Sequence, residues 1–225
     1  MPETPNFLLQ ENRNLMEIPS GFFNRINTLK VLDISGQVLS LPPSIRLLEN
    51  LCALYMDRCK SKNISIFGGL KRLEIPSLKN SLINTFQEEL AELAELRMLD
   101  MTCNHIQTIS PKIISRLHGL EELYLQGSFC QWGNHRVEGT NEERNASLEE
   151  LINLPQLTIL KTDIEDVNCL PRNVNFIPKR EKFDIFISRS LFSSLMNVQP
   201  VEIEKGTYNV RVHRHYNEHL TRLVL

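Results

Sequence analysis

Three histidines near the end of the chain, in "HRHYNEH", come closest to a ligand set: His213, His215 and His219. On a helix His215 and His219 would share one face, a spacing that suits a zinc pair. The zinc-protease order H-E-x-x-H is absent, because Glu218 directly precedes the second histidine. No further ligand set is evident nearby, so a polar tail is the plainer reading. Glu88, Glu89, Glu92 and Glu95 offer clustered carboxylates. Their helical spacing against Leu90, Leu93 and Leu96 reads as the solvated face of an amphipathic turn. The five cysteines (Cys52, Cys59, Cys103, Cys130 and Cys169) are odd in number, and no two form a CxxC pair. Reduced thiols in a cytosolic protein are expected rather than a disulfide framework. There is no G-x-S-x-G and no G-x-x-x-x-G-K-[ST]; Gly68-Gly69 simply leads into "LKRLEI". Nothing here cradles a nucleotide phosphate. The sequence points away from an enzyme, and neither a cofactor nor a metal is expected. A metal-dependent enzyme using the tail histidines is the weakest reading.

Bulk properties narrow the choice further. The 225 residues are 41% hydrophobic and 23% charged, as in a folded soluble protein. With 25 basic and 27 acidic residues, the whole-chain charge makes no case for a nucleic acid or an anionic membrane. "MPETPNFLLQENRN" lacks the basic and long apolar regions of a signal peptide. No apolar run approaches the roughly 20 residues a membrane span needs. A cytoplasmic location is expected. The sequons at Asn63 and Asn145 are then chance matches.

What remains is a repeat. Ile26, Leu29, Leu32, Ile34 and Gln37 step by three, three, two and three. The same ladder recurs from Leu48 to Cys59, Leu70 to Ser81, Leu93 to Asn104 and Leu117 to Ser128. Its last positions lie 22, 22, 23 and 24 residues apart. That period and the pattern L-x-x-L-x-L-x-x-N/C-x-L define a leucine-rich repeat. The L-x-L pair predicts a short strand with both leucines on one face. The Asn or Cys place marks an inward bend, where a side chain can bond stranded backbone groups. Asn104 suits that role best and Gln37 least. Short helical turns such as "SIRLLENL" then lead to the next strand. The expected architecture is an α/β repeat, a curved solenoid of parallel strands with short helices or irregular segments outside. It spans residues 5–187, with an inserted loop at 129–147. Residues 188–225 form a divergent tail with a possible β-hairpin turning near Lys205-Gly206. Pro76 stands where other repeats carry leucine, and weakened strand pairing is expected there.

Residues between the inward leucines face the concave side. The spacing names Asp33 and Ser35, Tyr55 and Asp57, Ser77 and Lys79, Asp100 and Thr102, Tyr124 and Gln126, and Lys161. Arg58, just past its strand, is a rim position. Taken singly, each reads as an ordinary solvated residue. Taken together they read as a protein-binding face, with Tyr55 and Tyr124 as anchors. Trp132, in the loop, is either a contact residue or a pin that holds the loop to the stack.

The segments "SLPPSIRLLENLCALYMDRC", "GLKRLEIPSL", "PKIISRLHGLEELYLQGSFCQW" and "SLEELINLPQLTIL" resemble the repeat region of plant intracellular disease-resistance proteins. The resemblance is to the coiled-coil, nucleotide-binding, leucine-rich-repeat class. It implies a module that senses pathogen effectors or host proteins, or docks on a nucleotide-binding switch domain. The chain shows neither the coiled coil nor the phosphate-binding loop of that class, so only the sensing surface is carried over. Two forms stay open, a truncated paralogue and a fragment of a larger receptor. A scaffold or substrate-recruiting adaptor, for example of a ubiquitin ligase, is the alternative.

Overall fold

A strand that carries two leucines on one side must bury that side, and a repeat offers its neighbour for the purpose. The computed structural model describes residues 6–8, 17–36, 38–60, 64–86, 88–133, 145–165, 169, 182–187, 209–212 and 221–222. The chain folds as the expected leucine-rich-repeat solenoid. Its first strands are β1 (Asn6–Leu8), β2 (Val31–Asp33), β3 (Ala53–Tyr55) and β4 (Ile75–Ser77). Then come β5 (Thr85–Phe86), β6 (Met98–Asp100), β7 (Thr108–Ile109) and β8 (Glu122–Tyr124). The last are β9 (Ile159–Ile164), β10 (Lys182–Ile187), β11 (Asn209–Val212) and β12 (Thr221–Arg222). One sheet runs β1-β2-β3-β4-β6-β8-β9-β10-β11-β12, and β5 and β7 form a separate parallel pair. Only the β11–β12 pairing is antiparallel among the described strands.

The leucine ladder is the core. Leu29, Leu32 and Ile34 are buried, as are Leu51, Leu54 and Met56, and the later rungs repeat this through Leu120, Leu123 and Leu125. The outer segments are single 3-10 turns rather than α-helices: Phe22–Arg25, Pro43–Leu47, Ser65–Gly69, Glu88–Glu92, Ile114–Arg116 and Leu148–Asn153. A full α-helix is about 10–12 Å across, whereas parallel strands stack about 4.8 Å apart. A repeat of this length relieves that mismatch with a narrow turn. In Glu88–Glu92 only Leu90 is buried, so the acidic run is a solvated face as expected.

The inward bends are tied by side chains. Cys59 Sγ donates to the Ile34 carbonyl at 3.3 Å, and Ser81 Oγ to the Met56 carbonyl at 2.6 Å. Asn104 Nδ2 donates to the Leu78 carbonyl at 2.7 Å, and Ser128 Oγ donates to the Met101 carbonyl. Each bond reaches back one repeat to the same backbone position. Asn104 does most: Nδ2 also reaches the Met101 carbonyl at 2.8 Å, while Oδ1 accepts the Ser81 and Ile83 amides at 2.9 and 3.1 Å. The residue before each bend has positive φ: Arg58, Asn80, Cys103 and Gly127 at 63, 54, 57 and 64°. This left-handed step turns the chain inward, and only Gly127 adopts it without steric cost.

Pro76 acts on one side only. β4 pairs with β3 at all three positions, but with β6 at Ser77↔Asp100 alone. Amides in a parallel strand alternate between neighbours, so the donor that proline lacks is lost on the β6 side. The tail contributes strands of its own. β11 lies parallel beside β10 over four residue pairs, extending the same sheet past residue 187. Its antiparallel partner β12 lies downstream. Lys205 and Gly206, where the hairpin was expected to turn, lie outside the described residues, as do His213, His215 and His219. "NVRV" carries no leucine ladder, yet its backbone pairs with β10.

Replacing Asn104 by alanine would strand two amides and the Leu78 carbonyl. We expect Asn104→Ala to cost roughly 3 kcal/mol or more in urea unfolding, at about 1–3 kcal/mol per unpaired buried group. Gly127→Val should cost about 1–2 kcal/mol through its backbone alone.

Candidate binding face

Strand register turns the between-leucine residues into rows. Asp33 pairs with Tyr55, Tyr55 with Ser77, Ser77 with Asp100, Asp100 with Tyr124, and Tyr124 with Lys161. This central row therefore gathers six of the sequence-derived positions. A second row, two residues further along each strand, holds Ser35, Asp57, Lys79, Thr102, Gln126 and Asp163. All six are partly exposed.

The polar residues are tied to one another across repeats. Asp33 and Asp100 are buried and accept the amides of Ser35 and Thr102 at 2.9 and 3.0 Å. They shape the strand ends more than they offer contacts, which the spacing alone did not reveal. Asp57 Oδ1 accepts the Ser77 hydroxyl at 2.6 Å and the Lys79 amide at 3.0 Å. The Asp57 amide in turn donates to Ser35 Oγ at 3.2 Å. Lys79 Nζ sits 3.2 Å from Asp100. Partial desolvation opposes the Lys79 charge, but the Asp100 carboxylate outweighs it and the pKa is raised.

The two tyrosines differ. Tyr55 is partly exposed in the central row. Tyr124 donates its hydroxyl to Glu122 at 2.6 Å, and Lys161 Nζ lies 5.4 Å from its ring centroid. Desolvation and the hydrogen bond to Glu122 push the Tyr124 phenol well above its ordinary value. Tyr124 is thus a neutral donor throughout the physiological range. Arg58 is exposed at the rim on its left-handed backbone.

Trp132 is a pin. It is 2% exposed, and its indole N–H donates to Thr162 Oγ1 at 3.2 Å and to the Asp163 carbonyl at 3.0 Å. Phe129 packs edge-on against it at 5.1 Å. The base of the insertion is closed by Gly133 donating to the Ala146 carbonyl and by Asn145 Nδ2 donating to Gln131. The aromatic pair anchors residues 129–133 behind the extended strand β9, so the contact role expected as one option for Trp132 does not fit its burial. Asn145 is also buried, which suits a chance sequon.

Sequence reasoning passed over a third row. Val31, Ala53 and Ile75 stand side by side across β2, β3 and β4, and Met98, Glu122 and Ile159 do so across β6, β8 and β9. Each directly precedes the inner core residue of its strand, so period two puts it on the concave face. Val31, Ile75, Met98 and Ile159 are partly exposed. The signal was present as an apolar residue at a non-ladder position in five of the six strands.

The thiols take no part in this face. Burial pushes the Cys59 thiol up to about 11, consistent with the S–H that donates to Ile34. Cys130 is likewise raised to about 11 by burial, with Glu165 and Asp163 adding to it. None of the five cysteines is in a disulfide. Among the described residues, no group of His, Cys, Asp and Glu is placed to hold a metal, and no helix is long and apolar enough to cross a membrane.

Comparison with known proteins agrees with this geometry. A family profile described as leucine rich repeat matches residues 77–128. Disease resistance protein At4g27190 of Arabidopsis thaliana is 30% identical over 217 residues, covering 89% of this chain and 22% of that protein. Probable disease resistance protein At4g27220, also of Arabidopsis thaliana, is 32% identical over 208 residues, covering 91% of this chain and 22% of its own length. The chain thus spans about a fifth of these relatives. A solved leucine-rich-repeat protein of Leptospira interrogans superposes with a TM-score of 0.61 at 21% identity, over 80% of this chain and 43% of that one. That likeness concerns the fold.

Two results would check the placement of the side chains. Trp132 fluorescence should resist iodide quenching in the native state, and Trp132→Ala should cost roughly 3–5 kcal/mol as a large core truncation. A thiol reagent at pH 8 should label exposed Cys103 promptly and Cys59 only on unfolding. The chain is a leucine-rich-repeat solenoid, homologous to the Arabidopsis disease resistance proteins.

Proposed function

We propose that this chain is a recognition module of plant defence that binds protein through its concave face. The observation that carries this is the alignment of Tyr55, Tyr124 and an apolar row on one ordered surface, in a chain homologous to disease resistance proteins. Partly exposed aromatic and aliphatic side chains on a rigid sheet supply the desolvating contacts that dominate protein binding. The polar residues between them are held by neighbours, so little side-chain entropy is lost on docking. The ligand is a pathogen effector, a host protein that effectors alter, or a nucleotide-binding switch domain. Cysteines without disulfide partners suit a reducing cytoplasm.

The test is site-directed photocrosslinking in leaf extract from infected plants. A benzophenone side chain at Tyr124 should give a discrete protein adduct that weakens when Tyr55 becomes alanine. The same group at Leu47, 48% exposed in the turn Pro43–Leu47, should not give that adduct. Identical adducts from both positions, or none at Tyr124, would overturn the reading.

A further inference from the structure

The concave face has a sign and a stripe that together specify more than protein binding. Across the three rows of β2 to β9, the ionisable carboxylates are Asp33, Asp57, Asp100, Glu122 and Asp163. Only two ammonium groups, Lys79 and Lys161, stand among them. Lys79 is held by Asp100, and Lys161 lies over the Tyr124 ring. Amide and hydroxyl donors orient Asp57 and Glu122 without cancelling their charge. At one edge Lys30 and Arg97 stand in a row with Glu74 and Glu121, Arg97 lying 2.9 Å from Glu121 and 3.8 Å from Glu74, so that edge adds no net positive charge to the face. Arg58 stands at the opposite rim. The face is net negative although the chain as a whole is near neutral.

Beside the acidic rows runs the stripe of Val31, Ile75 and Met98, partly exposed, with Ile159 beyond Glu122. Glu122 stands in the stripe's own row, and the row of Asp57, four residues along the strands, lies about 14 Å away, a span that a helix about 10–12 Å across and a lysine side chain cover. One segment lying across the strands can therefore put one side on the stripe and the other on the carboxylates. Resting on the concave-face reading above, we propose that the occupant is a cationic amphipathic segment of a partner protein. Its apolar side chains would lie on Val31, Ile75 and Met98, and its lysines or arginines would face Asp57 and Glu122. A focused negative field raises the association rate of such a segment and rejects acidic ones.

The probes are an amphipathic lysine–leucine peptide and its glutamate–leucine twin, titrated into the full chain by calorimetry. The lysine peptide should bind, weaken as salt is raised, and lose about tenfold in affinity in the doubly substituted variant Asp57→Asn, Glu122→Gln. Both substitutions keep the acceptors used by Ser77, Lys79 and Tyr124, so folding is preserved. Ile75→Ser should weaken it further. No binding of the lysine peptide would overturn the inference. Preference for the glutamate twin, lost in Tyr55→Ala, would overturn the basic partner while leaving concave binding intact. Lysine-peptide binding untouched by all of these changes would place it on another surface and count against both.

Discussion

The structure depends on a row of side-chain hydrogen bonds at the inward bends. A strand of three residues cannot fix its own register, and the leucine core is tolerant of sliding because one leucine resembles the next. The bonds from Cys59, Ser81, Asn104 and Ser128 to Ile34, Met56, Leu78 and Met101 are directional, and each ties one repeat to the same point of the last. They also occupy carbonyls that the turn leaves without a strand partner. Buried groups of this kind cost far more when unpaired than they contribute when paired, so the ladder acts mainly against wrong registers.

From that register the concave face follows. Because each bend fixes where its strand ends, Tyr55 falls beside Asp33 and Ser77, and Tyr124 beside Asp100 and Lys161. The contacts among Asp57, Ser77 and Lys79 then form between repeats. A slip of one residue would exchange the core and concave sets completely. The surface that binds and the bonds that hold the stack are therefore two sides of one arrangement. The irregularity at Pro76 is tolerated because it removes one donor on one side, while the bend at Ser81 remains fully tied.

The period itself was legible, because the ladder of leucines is both the sequence pattern and the core. The rows of the face were legible where they alternate with ladder positions, as at Tyr55 and Asp57. The burial of Asp33 and Asp100 was not, since it arises from a local bond to the amide two residues on. The apolar row from Val31 to Ile159 escaped notice because valine, isoleucine and methionine beside a leucine read as more core. Trp132 could not be assigned from sequence, for its partners Thr162 and Asp163 lie thirty or so residues away, across the insertion. The strand Asn209–Val212 has no ladder at all and joins the sheet through backbone pairing.

Site-resolved amide exchange on the intact chain tests the central claim most directly. The amides of Ser81 and Ile83, which are held by the Asn104 side chain, should exchange as slowly as those of Met56, Leu78 and Met101 between the strands. Equal protection would mean that the bends and the sheet open as one unit, as the account predicts. Fast exchange at Ser81 and Ile83 beneath protected strands would contradict it, and would show that the leucine core alone holds the register.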